Sequence, residues 1–323
     1  MRFGYTLLTE QTGPAELVRL AGEAERAGFD FEAASDHFSP WLEEQGHAPY
    51  VWSVLAAATQ CTEHVELMTY VTCPSFRYHP AVVAQKAATT QLLSGDRFTL
   101  GIGAGENLNE HLIGTGWPPA NVRHERLCEA IDIISALFDG GHVDYAGQHY
   151  RLDSAKLWDL PRQRVPLAVA VSGRQSVRRY APRAQALVAV DPDAELTAEW
   201  DRCAPHSPAR KIGQLPVSWG PQVQEATERA HREFRWFAGG WKVNAELPGT
   251  AAFAAATQFV TEQDVADAIP CGPEIEPILE KVAAFRDAGF SDLALVQIGG
   301  DRQTGFLEFA REHLLPALRT RFG

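Results

Sequence analysis

The chain has 323 residues, 41 of them acidic against 29 basic, for a formal charge of −12. That balance repels phosphate backbones and anionic lipid surfaces at long range, which argues against nucleic acid and membrane as partners. No apolar run reaches the ~20 residues of a membrane span, and the N-terminal Met1-Arg-Phe-Gly-Tyr leads into a strand pattern rather than a secretory signal, so a cytoplasmic protein is expected.

Short β-branched or apolar runs alternate with longer amphipathic stretches along the whole chain, the pattern of parallel strands joined by crossover helices. Strands are expected at 3–8, 29–35, 65–73, 98–103, 167–171, 186–190, 212–219 and 292–298. Helical patterns follow them, for example 15–27, closed by Gly28, and 303–318. These units fit a single α/β domain over residues 1–323, a (β/α)8 TIM barrel with insertion loops, better than an open doubly wound sheet. Two stretches exceed the minimal unit. Residues 140–166 contain a hairpin pattern, His142-Val-Asp-Tyr then Gln148-His-Tyr-Arg, and residues 237–273 are rich in Gly, Ala and Pro. Insertions of this kind act as lids or specificity loops.

Five scattered cysteines without a C-x-x-C pair suggest neither a disulfide framework nor a thiolate metal site. His124 and Cys128 sit four apart on an expected helix but have no further ligands nearby, and no metal is expected.

Barrel active sites are built at the C-terminal ends of the strands, so the residues there have priority. Strand two ends in Ser35-Asp36-His37-Phe38-Ser39-Pro40-Trp41. A histidine there can take a proton from a substrate hydroxyl, because its unperturbed pKa of ~6.5 suits a base near neutrality. Trp41 would wall the pocket. The end of strand three, from Thr69 to Pro80, is too irregular for an ordinary crossover, so something docks against it or it docks on itself.

Strand four ends in Gly101-Ile-Gly-Ala-Gly-Glu-Asn-Leu-Asn-Glu110, a glycine run that lets backbone approach a ligand, followed at once by Glu106 and Asn109. Its spacing and its place at the fourth strand do not fit a dinucleotide fingerprint. Strand five ends in Ala170-Val-Ser-Gly-Arg174, where Ser172, Gly173 and the following helix can bind a phosphate through backbone N–H groups, with Arg174, Arg178 and Arg179 close by.

Together these segments resemble the deazaflavin branch of the bacterial-luciferase-like barrel family, in the group of coenzyme F420-dependent glucose-6-phosphate dehydrogenases. The resemblance runs over essentially the whole chain. Its most specific pieces are Ser35-Asp-His-Phe-x-Pro-Trp41 continuing to Gln45-Gly-His-Ala-Pro49, then Phe76-Arg-Tyr-x-Pro80, then Gly105-Glu-x-Leu-Asn-Glu110. It implies a 5-deazaflavin, coenzyme F420, against the ends of strands three and four, lying on a bulge with a non-proline cis peptide at Tyr70–Val71. Asp36, Cys73, Ala104, Gly105, Glu106 and Asn109 match the family's contacts to the ring and ribityl chain, and Val171, Ser172 and Gly173 match its phosphate loop.

The resemblance further implies that His37 takes the hydroxyl proton, that Trp41 stabilises the reacting complex, that Glu106 supplies a proton toward the ring and that Glu10 orients His37. A homodimer acting on a small sugar or alcohol is implied as well. Departures bear on the substrate. Lys242 matches one of the family's phosphate-binding lysines, but the segment for the other reads Val190-Asp-Pro-Asp193, and Asp267 falls near the place of an arginine. Acids in place of cations oppose a sugar phosphate, so an unphosphorylated sugar or polyol-like alcohol is expected. Gln185-Ala186 replaces an Asp-Gly at the bottom of the barrel, where an effect on stability rather than catalysis is expected.

Competing readings are a reductase or monooxygenase of the same family using flavin mononucleotide (FMN), a flavin-binding protein without turnover, and a glycosidase working through Asp36 and Glu106.

Overall fold

The computed structural model describes residues 1–205 and 209–323. Eight parallel strands close into a barrel: β1 (Arg2–Leu7), β2 (Phe31–Ala34), β3 (Glu66–Thr69), β4 (Phe98–Ile102), β7 (Leu167–Ala170), β8 (Ala186–Val188), β9 (Arg210–Val217) and β10 (Asp292–Gln297). β10 pairs with β1 and completes the ring, while β5 (Val143–Ala146) and β6 (Arg151–Ala155) form the antiparallel hairpin outside it. All eight expected barrel strands are present, with ends shifted by a few residues.

Strand alternation sorts the core into two layers. Phe31, Ala33, Met68, Tyr70, Ala168, Ala186, Val188, Ile212 and Ala294 fill the interior. The alternate residues, such as Leu67, Val169, Leu187, Leu293 and Leu295, face the helices in a larger cluster. The N-terminal end of the barrel is closed by charge: Arg2 and Arg210 pair with Glu66 at 2.9 and 2.7 Å, and Arg210 pairs with Asp292 at 3.1 Å. At the same end Gln185 donates its backbone N–H to the Leu167 carbonyl and accepts the Leu167 N–H on its side chain, so its role is indeed structural.

The first helix, Pro14–Ala27, starts on a proline and stops at Gly28, whose φ of 100° lets its N–H reach back to the carbonyls of Ala24 and Glu25. The last helix differs from expectation. A π-helical turn at Ala310–Leu314 interrupts it, and it then continues as Leu315–Phe322. The insertion at 237–273 folds into short helices, Trp241–Asn244, Thr250–Ala256 and Glu262–Ala268.

One outward-facing residue breaks the apolar rule. Glu32 on β2 is fully buried and neither of its carboxylate oxygens has a partner among the described residues, and burial drives its pKa well above the ordinary value. The folded state therefore holds a proton that the unfolded chain releases above ~4.3, and stability falls as pH rises between the two values. Relative to Glu32→Gln, which does not titrate, the wild type should lose about 1.4 kcal/mol per pH unit in that window. Denaturant unfolding at several pH values measures it; parallel stability profiles would refute a neutral Glu32.

Candidate active site

At the C-terminal mouth the β2 end folds into a self-braced loop. Gln45 Oε1 accepts the N–H groups of Trp41 (2.9 Å) and Leu42 (3.2 Å), Gly46 turns at a φ of 82°, and His47 N–H donates to the Glu10 carbonyl after β1. This bracing aims His37 across the mouth. Its Nδ1 lies 2.5 Å from Glu10 Oε1 and its Nε2 3.2 Å from Glu106 Oε1, both ion-pair contacts rather than aligned hydrogen bonds. Ser35 Oγ and Thr9 Oγ1 donate to the two Glu10 oxygens at 2.7 and 3.1 Å.

Burial alone would push the His37 pKa down, but the Glu10 carboxylate, then Glu106, carry it up to about 10. Both carboxylates stay below their ordinary range despite burial, because the imidazolium lies between them. The structure brings His37, Glu10 and Glu106 together, and these shifts favour the proton on His37 with Glu106 ionised.

Asn109 explains how Glu106 is placed. Its Nδ2 donates to Glu106 Oε1 at 2.9 Å, while its Oδ1 accepts the N–H groups of Phe38 (2.7 Å) and Ser39 (2.9 Å), immediately after His37. The side chain buckles the β2 loop to the β4 loop. It has no exposed surface and lies behind the proton pair, whose carboxylate it holds.

Asp36 and Cys73 are similarly enclosed, at 2% and 4% exposure. Asp36 accepts hydrogen bonds from Trp52 Nε1 (3.0 Å), Thr72 Oγ1 (2.8 Å) and the Tyr78 hydroxyl (3.1 Å) and faces Arg77, which leaves no free carboxylate for a glycosidase pair with Glu106.

The β3 end docks on itself and on β4. β3 stops at Thr69, the Tyr70–Val71 peptide is cis, and pairing resumes where Thr72 N–H donates to the Gly101 carbonyl at 2.9 Å and Gly103 N–H to the Thr72 carbonyl at 3.0 Å. The glycine run serves this contact. A Cβ at Gly101 would fall 1.9 Å from the Thr69 carbonyl oxygen, at Gly103 2.7 Å from a Val71 methyl, and at Gly105 2.7 Å from Cys73 Sγ. Three alternate glycines thus lie on Thr69, Val71 and Cys73, and the close packing of the two loops requires them.

Beside this seam Val71, Ala104, Gly105, Ala170 and Gly173 are half-buried and Ser172 is exposed, small residues at the ends of neighbouring strands, whereas Tyr70 and Val171 are buried. Arg174 and Arg178 are engaged by Glu195 (2.6 Å) and Glu199 (2.5 Å), so two of the three arginines expected near a phosphate brace neighbouring helices instead.

An aromatic cap covers the His37 side. Trp41 meets the imidazole edge-on with centroids 5.1 Å apart and stacks on Trp236 at 4.3 Å, and Phe253 adds a third wall. The segment carrying Trp236 and Phe253 is pinned at both rims. Arg235 pairs with Glu44 at 2.8 Å and Thr250 Oγ1 donates to Glu43 at 3.2 Å; opposite, Arg123 pairs with Glu246 at 2.7 Å and Asn107 N–H donates to the Ala245 carbonyl at 3.0 Å.

Residues 1–292 match the family described as luciferase-like monooxygenase. The chain belongs to the luciferase-like monooxygenase family. This luciferase-like chain is 34% identical to an F420-dependent glucose-6-phosphate dehydrogenase of Microbacterium testaceum, over 100% of this chain and 98% of that one. It is 33% identical to one of Nocardia farcinica, over 99% and 98%. Among solved structures, an F420-dependent secondary alcohol dehydrogenase in complex with an F420–acetone adduct has a TM-score of 0.90 at 25% identity, covering 98% and 99% of the two chains. The monooxygenase RslO1 from Streptomyces bottropensis shares the fold at a TM-score of 0.78 and 20% identity, over 98% and 99%.

Other expected residues lie apart from the cluster. Lys242 is exposed on the helix Trp241–Asn244, and Asp267 is exposed on Glu262–Ala268, where Gln263 of the same helix donates to its carboxylate. Asp191 lies near enough to the Tyr70 ring to act on the phenol's charge. His124 is engaged by the Tyr180 hydroxyl. Trp236, Phe253, Arg77 and Glu110 had no assigned part. The last two stood inside the most specific motifs; Trp236 and Phe253 carry no local pattern.

Proposed function

We propose that this protein is an F420-dependent dehydrogenase that oxidises the carbinol carbon of an unphosphorylated sugar or other neutral alcohol, with His37 and Glu106 as its proton-handling pair. The observation that carries the reading is His37 lodged between two carboxylates beside small, half-buried residues at the strand ends. Val71, Ala104, Gly105 and Ala170 would lie against a flat tricyclic ring there. A Cβ at Gly173 would meet nothing within 4 Å, so the phosphate end beside Ser172 has room. When bound, the deazaflavin supplies a carbon centre that accepts hydride.

The protein's own part is proton placement. Moving the His37 proton from Nε2 to Glu106 Oε1 across their 3.2 Å contact turns imidazolium and carboxylate into a neutral imidazole and a carboxylic acid, which is the base and acid the reaction needs. An occupant that strips water from the mouth favours that neutral arrangement, because burial penalises charged forms. Glu10 stays ionised and receives the imidazolium again when the substrate hydroxyl gives up its proton to Nε2. Trp41, edge-on to the ring, excludes water and limits side-chain motion.

The cap supports a neutral substrate. Trp41, Trp236, Trp241, Leu247 and Phe253 gather over the site, and its matched cation, Lys242, is exposed. The test follows bleaching of oxidised F420 with a panel of secondary alcohols, free sugars and glucose 6-phosphate, alongside fluorescence titration with F420 and with FMN. Turnover should be highest on an unphosphorylated member, and F420 should bind more tightly. Glucose 6-phosphate clearly outrunning the neutral substrates would overturn the substrate class, and tighter binding of FMN would overturn the cofactor.

A further inference from the structure

Behind the proton pair lies a buried guanidinium whose partners tie together all three loops of the site. Arg77 Nε and its backbone N–H donate to the two oxygens of Glu110, each at 3.1 Å, and its outer nitrogens reach the Asp36 carbonyl and, at 3.4 Å, the Asp36 carboxylate. The three side chains are 7%, 1% and 1% exposed. Asp36 immediately precedes His37, and Glu110 lies one helical turn beyond Glu106 and directly after Asn109. The fork therefore spans the β2 loop that presents His37 and the short helix Asn107–Glu110 capped by Glu106, from a base on the β3 loop.

We propose that Arg77 is a positioning residue that sets the distance between His37 and Glu106 by clamping Asp36 to Glu110. The clamp acts in parallel with the Asn109 buckle: Asn109 joins the two loops at the level of the reacting groups, and Arg77 joins them one layer deeper. The charged and titratable groups facing Arg77 are Asp36, Glu110 and Tyr78, with Cys73 beside Glu110; those facing His37 are Glu10 and Glu106. Burial raises Glu110 to about 7 even with Arg77 against it, so loss of the guanidinium leaves that carboxyl protonated and the clamp without a charge on the Glu110 side. A lysine keeps the positive charge but is a point donor that cannot span both partners.

The activity arm of the test rests on the proposed dehydrogenase reading; a spectroscopic arm on cofactor-free protein does not. Arg77→Lys and Arg77→Met are compared with wild type, with the His37 imidazole resonance assigned by its disappearance in His37→Gln. If the two loops part, His37 loses part of its pairing with Glu106, and its titration midpoint should fall in both variants. The kcat should drop about 10- to 100-fold, with KM for the alcohol within about threefold, as expected for a small misplacement of reacting groups. Where Arg77→Met does not fold, Arg77→Lys decides alone. A charge effect without positioning would move His37 upward in Arg77→Met and leave Arg77→Lys unchanged, and that result overturns the proposal. So does a variant that melts earlier yet keeps wild-type kcat and His37 titration. If no alcohol is oxidised by the wild type, the dehydrogenase reading fails and the His37 resonance still decides the role of Arg77.

Discussion

Turnover is expected to fall by about 10²- to 10⁴-fold when His37 is replaced by glutamine, the range usual for loss of a positioned proton acceptor. The accompanying change at Glu10 separates proton handling from packing. In Glu10→Gln the imidazole remains buried but loses the carboxylate that does most to hold it ionised, so its titration midpoint should move down from about 10. The sign for stability follows. The folded pKa lies above the unfolded ~6.5, so the ion pairs stabilise the fold fully below that value and lose this contribution as pH rises through about 10. Glu10→Gln should shrink the alkaline loss. Histidine NMR and unfolding between pH 6 and 10 give both readings. If the His37 midpoint stays high in Glu10→Gln, Glu10 does not control the proton.

The largest expected effect on folding is at Gly101. An alanine there places its methyl carbon 1.9 Å from the Thr69 carbonyl oxygen, a backbone atom that cannot rotate away. β4 must then separate from the bulge and weaken the Thr72 N–H bond to the Gly101 carbonyl that restarts pairing after the cis peptide. Overpacking against rigid backbone costs about 3 kcal/mol. Gly173→Ala is the matched control. Its φ of −179° suits any residue, and the added carbon meets nothing within 4 Å. Urea midpoints of the two variants should differ clearly, and a Gly101→Ala protein as stable as Gly173→Ala would remove close packing as the reason for the glycine run.

The barrel was legible because each strand carries a short apolar run and each helix a 3.6-residue period, signals that need no distant partner. The β3 end was legible only as an irregularity. Its partners, Gly101 and Gly103, lie some thirty residues away, and nothing local says whether a glycine clears space for a ligand or for another strand. His37 and Glu106 were readable by residue type and by position at strand ends, and Glu10 only through the family resemblance. Their protonation was not, because it depends on distances between three loops. The hydrogen-bonding partners of Asn109 and Asp36 and the burial of Cys73 were not readable, since they are set by tertiary packing. Trp236 was missed for the same reason: its stacking on Trp41 joins residues nearly two hundred positions apart.

The stretch carrying Trp236 and Phe253 is one contiguous piece of chain, and its rim contacts run to Glu43, Glu44, Asn107 and Arg123 rather than to Glu10, His37 or Glu106. Its one link to the proton pair is through Trp41, which Trp236 and Phe253 hold against His37. A library confined to codons 237–256 that retains Glu246, Thr250 and Phe253 would therefore vary the cover of the mouth while keeping the side chains that hold Trp41 in place.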